Sequence, residues 1–281
     1  MERLGWRIRE SPVAAAILLL PVFVFGILGT TIAPHDPLKV NTKQALQPPS
    51  IMIGEGWTNV LGTDYLGRDV ASRIIVGARA TLLVSVIGVV IAGFIGVLLG
   101  LMAGYFGGWV DTAIMRVVDI QMSIPAILLA LLLSVVLGPG LITVMVVIGI
   151  VFWTQYARVI RGETLSLMQR DFVVMARLLG CSPQRVLLRH LFPHIRDTAV
   201  VVATLQLGIA VMLEAALSFL GLGVQSPAIA WGKMIAEARI YIESAWWLPF
   251  FPGLMIMLTV MGANLSGDWL RDKLDPKLRQ V

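Results

Sequence analysis

Charged side chains are scarce in this chain. Asp, Glu, Lys and Arg make up 14% of its 281 residues, whereas 57% of the residues are hydrophobic. The mean hydropathy is +0.85. Because soluble domains carry about 25% charged residues, this composition excludes an ordinary soluble domain and indicates an integral membrane protein.

Cysteine and histidine are also rare. Cys181 is the only cysteine, so neither an intrachain disulfide nor a cluster of thiolate metal ligands can form. His35, His190 and His194 are the only histidines, and all three fall outside the long apolar segments. A Ser–His pair or a histidine metal site inside the bilayer is therefore excluded, which argues against an intramembrane hydrolase. We predict no catalytic residue, metal ligand or bound cofactor.

Two binding motifs are absent as well. The phosphate-binding pattern GxxxxGK[ST] does not occur, so we do not expect this chain to hold ATP itself. Basic residues are not interleaved with aromatic residues in a patch, so we do not expect a nucleic-acid partner.

Six long apolar segments predict an all-α fold with six transmembrane helices, because about 20 apolar residues cross a bilayer. The first is interpreted as an uncleaved span, since its apolar run exceeds the length of a signal-peptide core. The third and fourth are separated only by Gly138–Gly140 and are predicted to form a helical hairpin. The segments are Val13–Ile32, Ala80–Ala103, Ser123–Leu137, Leu141–Tyr156, Thr198–Leu220 and Pro249–Gly267.

The distribution of basic residues predicts the orientation. With both termini in the cytoplasm, the inner segments carry 15 of the 22 Lys and Arg residues and the outer segments carry 7. The positive-inside rule favours this arrangement, with membrane lipid around the spans. The predicted regions are a cytoplasmic N-terminus (1–12), a first helix (13–32), an extracytoplasmic loop (33–79), a membrane core (80–267) with a cytoplasmic loop (157–197), and a cytoplasmic tail (268–281).

The polar stretch Asp171–Pro193 reads as two short helices joined by a turn. Gly180 is placed to end the first helix in a left-handed conformation, and Ser182 and Pro183 suit the start of the second. Pro193 is expected to close that second helix. The stretch is either an amphipathic connector on the membrane surface or a docking element for a soluble partner. The apolar face of the first helix consists of Phe172, Met175, Ala176 and Leu179.

The spacing of Ala176, Gly180 and Pro193 resembles the EAA loop of ABC importer permeases. Val174 stands where that loop has Glu, and Met175 stands at its first Ala. The resemblance implies that the loop couples the chain to cytoplasmic ATPases. The residues assigned to this contact are Phe172, Met175, Ala176, Leu179, Gly180, Ser182, Pro183, Arg189 and Pro193.

Three further stretches resemble the C-type permeases of the dipeptide, oligopeptide and nickel importer family. One is the predicted outer loop before the second span, with Gly62, Thr63, Asp64, Gly67, Arg68 and Asp69. The others are Leu217–Ile235, which contains Gly221, Gly223, Pro227, Trp231 and Gly232, and the tail Asn264–Arg279.

This resemblance implies a type I ABC importer permease in the bacterial cytoplasmic (inner) membrane. It implies four partners: a second homologous permease, two cytoplasmic ATPases that bind ATP and Mg²⁺, and an extracytoplasmic substrate-binding protein. The expected substrates are di- or oligopeptides or a related small solute such as a nickel complex. The alternative is a stand-alone ion-coupled secondary transporter, which would need a relay of ionisable groups and commonly an inverted repeat.

Two features inside the spans have open interpretations. Gln206 and Glu214 lie in the fifth span and are candidates for the translocation path or for hydrogen bonds between helices. Small residues recur at every fourth position of the second span, which permits close helix packing either within the subunit or against a second permease. The members of this row are Gly88, Ala92, Gly96, Gly100 and Gly104.

Overall fold

The structure is a computed structural model that describes residues 12–50 and 59–274. Residues 1–11 of the predicted N-terminus, 51–58 of the predicted outer loop and 275–281 of the predicted tail lie outside the described residues. Helices dominate, and the β-type pairing in the described ranges is one bridge between Thr63 and Asp69. The helices are α1 (Pro12–Ile32), α2 (Val70–Phe106), α3 (Gly108–Met122), α4 (Ala126–Leu137), α5 (Leu141–Met168), α6 (Asp171–Leu178), α7 (Pro183–Phe219), α8 (Trp231–Ala238) and α9 (Trp247–Leu274).

Five of these helices, α1, α2, α5, α7 and α9, are long and apolar enough to cross a membrane. The third predicted span, Ser123–Leu137, differs from expectation, because it contains only the 12 residues of α4 in helical form after the break. Helix α4 follows α3 after a bend of 90°. The bend falls at Ser123–Pro125, where proline removes an amide donor from the helical ladder. If α3 and α4 together form one broken span, the described residues contain the six predicted spans.

Helix α2 begins ten residues before the predicted span. The Asp69 side chain caps it by accepting a hydrogen bond from the Ser72 amide at 2.8 Å. At 37 residues the helix is roughly 55 Å long, well beyond a hydrocarbon core about 30 Å thick. Its first turns therefore continue beyond the bilayer into the region of the outer-loop motif.

The row of small residues on α2 packs against α5 within this subunit. A Cβ atom on Gly88 would lie 2.5 Å from Ile148, and one on Gly100 would lie 2.7 Å from the Ala157 carbonyl oxygen. Only glycine permits so close an approach of the two backbones. Of the two interpretations of this row, the structure therefore shows packing inside the subunit.

Candidate functional site

The turn between α6 and α7 has the geometry that its sequence predicts. Gly180 has φ = +77°, which is the left-handed conformation that glycine adopts most readily. Its amide donates to the Arg177 carbonyl at 3.0 Å, and the Cys181 amide donates to the Ala176 carbonyl at 3.1 Å. These two hydrogen bonds form a Schellman motif, which satisfies carbonyl groups that the end of α6 would otherwise leave unpaired.

The start of α7 also follows the prediction in its backbone. Pro183 occupies the first turn, and the Val186 amide donates to the Ser182 carbonyl at 3.1 Å. Ser182 stands at the N-cap position but makes no capping hydrogen bond with its side chain. The chain thus passes from α6 to α7 over four residues.

The prediction that Pro193 closes the second helix is wrong. The helix continues through Pro193 to Phe219, because the segment Val186–Leu191 is π-helical and the Phe192 amide donates to the Leu187 carbonyl five residues back. This wider turn accommodates the proline ring, which would clash with a carbonyl in a regular α-helix. Asp171–Pro193, hereafter the EAA-like unit, is therefore directly continuous with the fifth span.

One side of the EAA-like unit is buried against the ends of α2 and α5. Val173 is fully buried there, together with residues from the start of α7. Ala176 is also buried, so it does not share the exposed face that the sequence assigned to it. The Phe172 ring lies 5.1 Å from the His194 ring and fixes α6 against α7. The buried cluster consists of Leu101, Ile160, Val173, Val186, Leu191 and Ile195.

The opposite side of the unit exposes large apolar side chains. Leu179 is 83% exposed and Leu178 is 77% exposed, and Met175 is exposed beside them. These three side chains form what we call the apolar ridge. Exposed basic residues surround it, namely Arg177, Arg185 and Arg189. An apolar surface framed by charged side chains marks an interaction site, either with another protein or with the membrane surface.

The outer-loop motif is a compact turn with a charged core. Gly62 and Gly67 both have positive φ values, of 80° and 73°. Between them the Asp64 carboxylate accepts hydrogen bonds from the Leu66 and Arg68 amides, each at 2.9 Å. It also accepts from the Arg68 side-chain Nε at 2.6 Å. Asp64 thus stabilises the turn from inside.

Two arginines link this turn to α8. Arg73 lies at the start of α2, has a side chain that is 4% exposed, and forms an ion pair with Asp64. Glu237 of α8 accepts from Arg73 at 2.8 Å and from Arg68 at 3.1 Å. Burial lowers the pKa of Arg68, but the charges of Asp64 and Glu237 outweigh that effect, so its pKa is raised. Burial lowers the pKa of the neighbouring Lys233.

The remaining residues of the motif have structural contacts. The Thr63 hydroxyl accepts a hydrogen bond from the Gln47 amide at 2.9 Å. Asp69 caps α2, accepts from the Ser72 hydroxyl at 2.7 Å, and lies 3.6 Å from a ring nitrogen of His35. The motif therefore organises the outer loop and ties it to α2.

The two polar residues of the fifth span do not lie on an open surface of this subunit. Glu214 is completely buried, and its carboxyl group accepts a hydrogen bond from the Ser218 hydroxyl at 2.7 Å. Gln206 is 3% exposed and donates to the side chain of Gln155 on α5. The Gln206–Gln155 contact joins α7 to α5, whereas the Glu214–Ser218 contact lies within α7; both polar side chains are buried inside this subunit. A cluster around Glu214 that includes Thr81 and Trp231 could not be foreseen, because those residues are far apart in sequence.

Comparison with known proteins identifies the family. Residues 96–280 match the family described as binding-protein-dependent transport system inner membrane component. The chain is 44% identical over 272 residues to the di/tripeptide transport system permease protein DppC of Pseudomonas aeruginosa, covering 97% of this chain and 90% of the relative. It is 39% identical to the probable D,D-dipeptide transport system permease protein DdpC of Escherichia coli, covering 98% and 91%. It is 38% identical to the glutathione transport system permease protein GsiD of Pectobacterium atrosepticum, covering 95% and 87%.

A solved structure shares the fold. An inward-facing structure of the MetNI methionine ABC transporter superposes with a TM-score of 0.58 at 19% identity, covering 72% of this chain and 96% of the other. The expected all-helical ABC importer permease fold is thereby confirmed. From its spans, its fold and these sequence matches, the chain belongs to the family of inner-membrane components of binding-protein-dependent transport systems.

Proposed function

We propose that this chain is one of two permease subunits that together form the translocation path of an ATP-driven importer for short peptides. Two cytoplasmic ATPases supply the energy, and an extracytoplasmic binding protein delivers the substrate. The observation that carries this proposal is the EAA-like unit, which offers an apolar ridge to a soluble partner and continues without a break into a membrane span. A second permease, the ATPases and the binding protein complete the assembly.

The apolar ridge supports docking of an ATPase. Met175, Leu178 and Leu179 are exposed on a polar segment between two spans. Leaving such side chains in water forfeits about 1.5–3 kcal/mol each, which burial in a partner's groove recovers. Arg177, Arg185 and Arg189 around the ridge suit a groove with acidic rims. In this arrangement both chain termini and the EAA-like unit face the cytoplasm.

The geometry of α7 supports a role in coupling. The helix contains 37 residues and is therefore roughly 55 Å long. The EAA-like unit lies at one end and the outer loop before α8 lies at the other. When the ATPases close, they displace the EAA-like unit, and the fifth span therefore moves with it as a rigid body. Alternation between two orientations of the spans requires that the loaded ATPases contact one orientation more favourably than the other.

Short peptides are the proposed substrate class. The relatives are named for di/tripeptides, D,D-dipeptides and glutathione, which are all small and peptide-like. A nickel complex is a further candidate within the same class of importers. The binding protein and both permeases together determine the choice among these solutes, so this chain supplies only part of the specificity.

Replacement of Leu179 tests the docking proposal. Leu179→Glu places a charge in the centre of the ridge, where an unpaired charge in an apolar contact is strongly disfavoured. We expect the variant subunit to reach the membrane in normal amounts, and we expect much less ATPase to co-purify with it. Leu179→Met keeps the volume and apolar character and serves as the control. Equal ATPase recovery with both variants would contradict the proposal.

The competing function is a stand-alone ion-coupled transporter. It predicts that the purified chain alone, reconstituted into vesicles, accumulates substrate when an ion gradient is applied. Our proposal predicts no accumulation without ATPases and ATP. The two functions therefore differ in a single transport assay.

A further inference from the structure

We propose that Glu214 is a positioning residue that fixes the outer loop, residues 220–230, to the end of α7. Through this connection, movement of the EAA-like unit reaches the outer loop directly. The first part of the proposal concerns this chain alone. The second part, on movement, rests on the proposed function.

Glu214 holds the first part of the loop through Ser218. The Ser218 hydroxyl donates to Glu214 Oε1 at 2.7 Å and accepts from the Val224 amide at 3.2 Å. The carboxyl group thus orients a hydroxyl that in turn binds the loop backbone. Oε2 makes no hydrogen bond of standard geometry in the described residues. Burying an ionisable carboxyl group costs free energy, so its presence here indicates that Glu214 has a specific role.

The far end of the loop is held by a second hydroxyl group near the same carboxyl group. The hydroxyl of Thr81 on α2 lies beside the Glu214 carboxyl. Its oxygen accepts from the Trp231 amide at 3.4 Å, and the fully buried Trp231 ring donates through Nε1 to the Ile74 carbonyl at 2.9 Å. Both ends of the loop are therefore bound by hydroxyl groups that face one buried carboxyl group.

Close backbone contacts make this attachment rigid. A Cβ atom on Gly223 would lie 2.5 Å from Ser218 Cα, and one on Gly232 would lie 2.5 Å from Ala215 Cα. The loop therefore rests directly on α7 four residues after Glu214, and the start of α8 rests on it one residue after Glu214. Because the contact tolerates no intervening atoms, a shift of α7 along its axis displaces the loop with it.

Hydrogen exchange of the loop tests the first part. In nanodisc-embedded protein, Glu214→Gln should accelerate exchange of the Val224 and Trp231 amides by about fivefold, the net contribution of one hydrogen bond. Ser218→Ala should do the same to the Val224 amide, which Ser218 binds directly. Ser85→Ala is the matched control, because Ser85 lies on α2 one turn from Thr81 and its buried hydroxyl makes no hydrogen bond to any residue that the structure describes. Unchanged exchange in the α2–α5 interface shows that the fold is intact.

If loop exchange in both variants equals that of Ser85→Ala, Glu214 does not position the loop and the proposal is wrong. Should Glu214→Gln fail to fold, Glu214→Asp takes its place, because it keeps a carboxyl group but withdraws it from Ser218 by one methylene group. The result does not depend on the ATPases. Absence of any ATPase from the unmodified protein would therefore defeat the proposed function and leave this part standing.

Transport stoichiometry tests the second part. In the complete importer, Glu214→Gln and Ser218→Ala should keep ATPase recovery and ATP hydrolysis near normal, while substrate transported per ATP falls about fivefold. A purely structural role would lower both activities in parallel. Accelerated exchange with unchanged transport per ATP would show that the loop is attached to α7 but takes no part in coupling.

Discussion

Substitution of Gly180 by valine probes the turn on which the EAA-like unit depends. The backbone at this position has φ = +77°. Among residues 12–50 and 59–274, no heavy atom outside Gly180 and its two chain neighbours lies within 4 Å of the site that a Cβ would occupy. The cost of a side chain therefore comes from the backbone conformation and not from a clash with neighbours. For a residue other than glycine this cost is about 1–2 kcal/mol, and β-branching adds to it.

A penalty of this size changes the population of the turn about 5–30-fold. Relaxation of φ would break the Gly180–Arg177 and Cys181–Ala176 hydrogen bonds of the Schellman motif. Helix α6 would then lose its fixed angle to α7, and the apolar ridge would no longer present one surface. The membrane spans do not depend on this turn. We therefore expect Gly180→Val to insert normally and to lose ATPase recovery and substrate-stimulated ATP hydrolysis.

The assay is co-purification of the ATPases, followed by ATPase activity in reconstituted membranes. Gly180→Asn is the matched control, since asparagine tolerates the left-handed conformation and should retain most of the activity. Full coupled transport by Gly180→Val would refute this reasoning. The EAA-like unit would then be a surface connector.

Three further predictions concern packing, the outer motif and topology. Gly100→Leu should sharply reduce the yield of folded protein, because the larger side chain forces α2 away from α5. Gly162→Leu should not, because the space around its Cβ position is open in the described residues. Equal yields of the two variants in membrane extracts would contradict this prediction. Arg73→Met should destabilise the outer region by about 1.5–3 kcal/mol, because the buried Asp64 carboxylate loses one of its two arginine partners and keeps Arg68. An unchanged melting temperature would argue against it. In a background without the native cysteine, a cysteine at Gln225 should react with an impermeant reagent from outside and one at Met175 only from inside, and outside labelling at Met175 would overturn the orientation.

Local features of the structure could be predicted from the sequence. The turn at Gly180 follows from the residue's own backbone preference and from the Ser182-Pro183 start signal after it. The spans follow from the length of their apolar runs. Each of these depends on neighbouring residues in the chain, so periodicity and capping rules were sufficient.

Features that depend on distant residues could not be predicted. Burial of Ala176 depends on where α2 and α5 end, and a helical pattern alone does not reveal which side of α6 faces them. The ion pair between Arg73 and Glu237 joins residues 164 positions apart. Continuation of the helix through Pro193 depends on a π-helical segment for which sequence has no clear signal. The environment of Glu214 likewise required the relative placement of α2, α7 and α8.

Uptake of a labelled dipeptide into proteoliposomes tests the central claim most directly. The vesicles would contain this chain, its partner permease and the ATPases, with the binding protein on the outer side and ATP inside. The account predicts uptake that requires ATP and the binding protein and that is lost with Leu179→Glu but retained with Leu179→Met. Uptake by this chain alone, or uptake indifferent to the change at Leu179, would contradict the account.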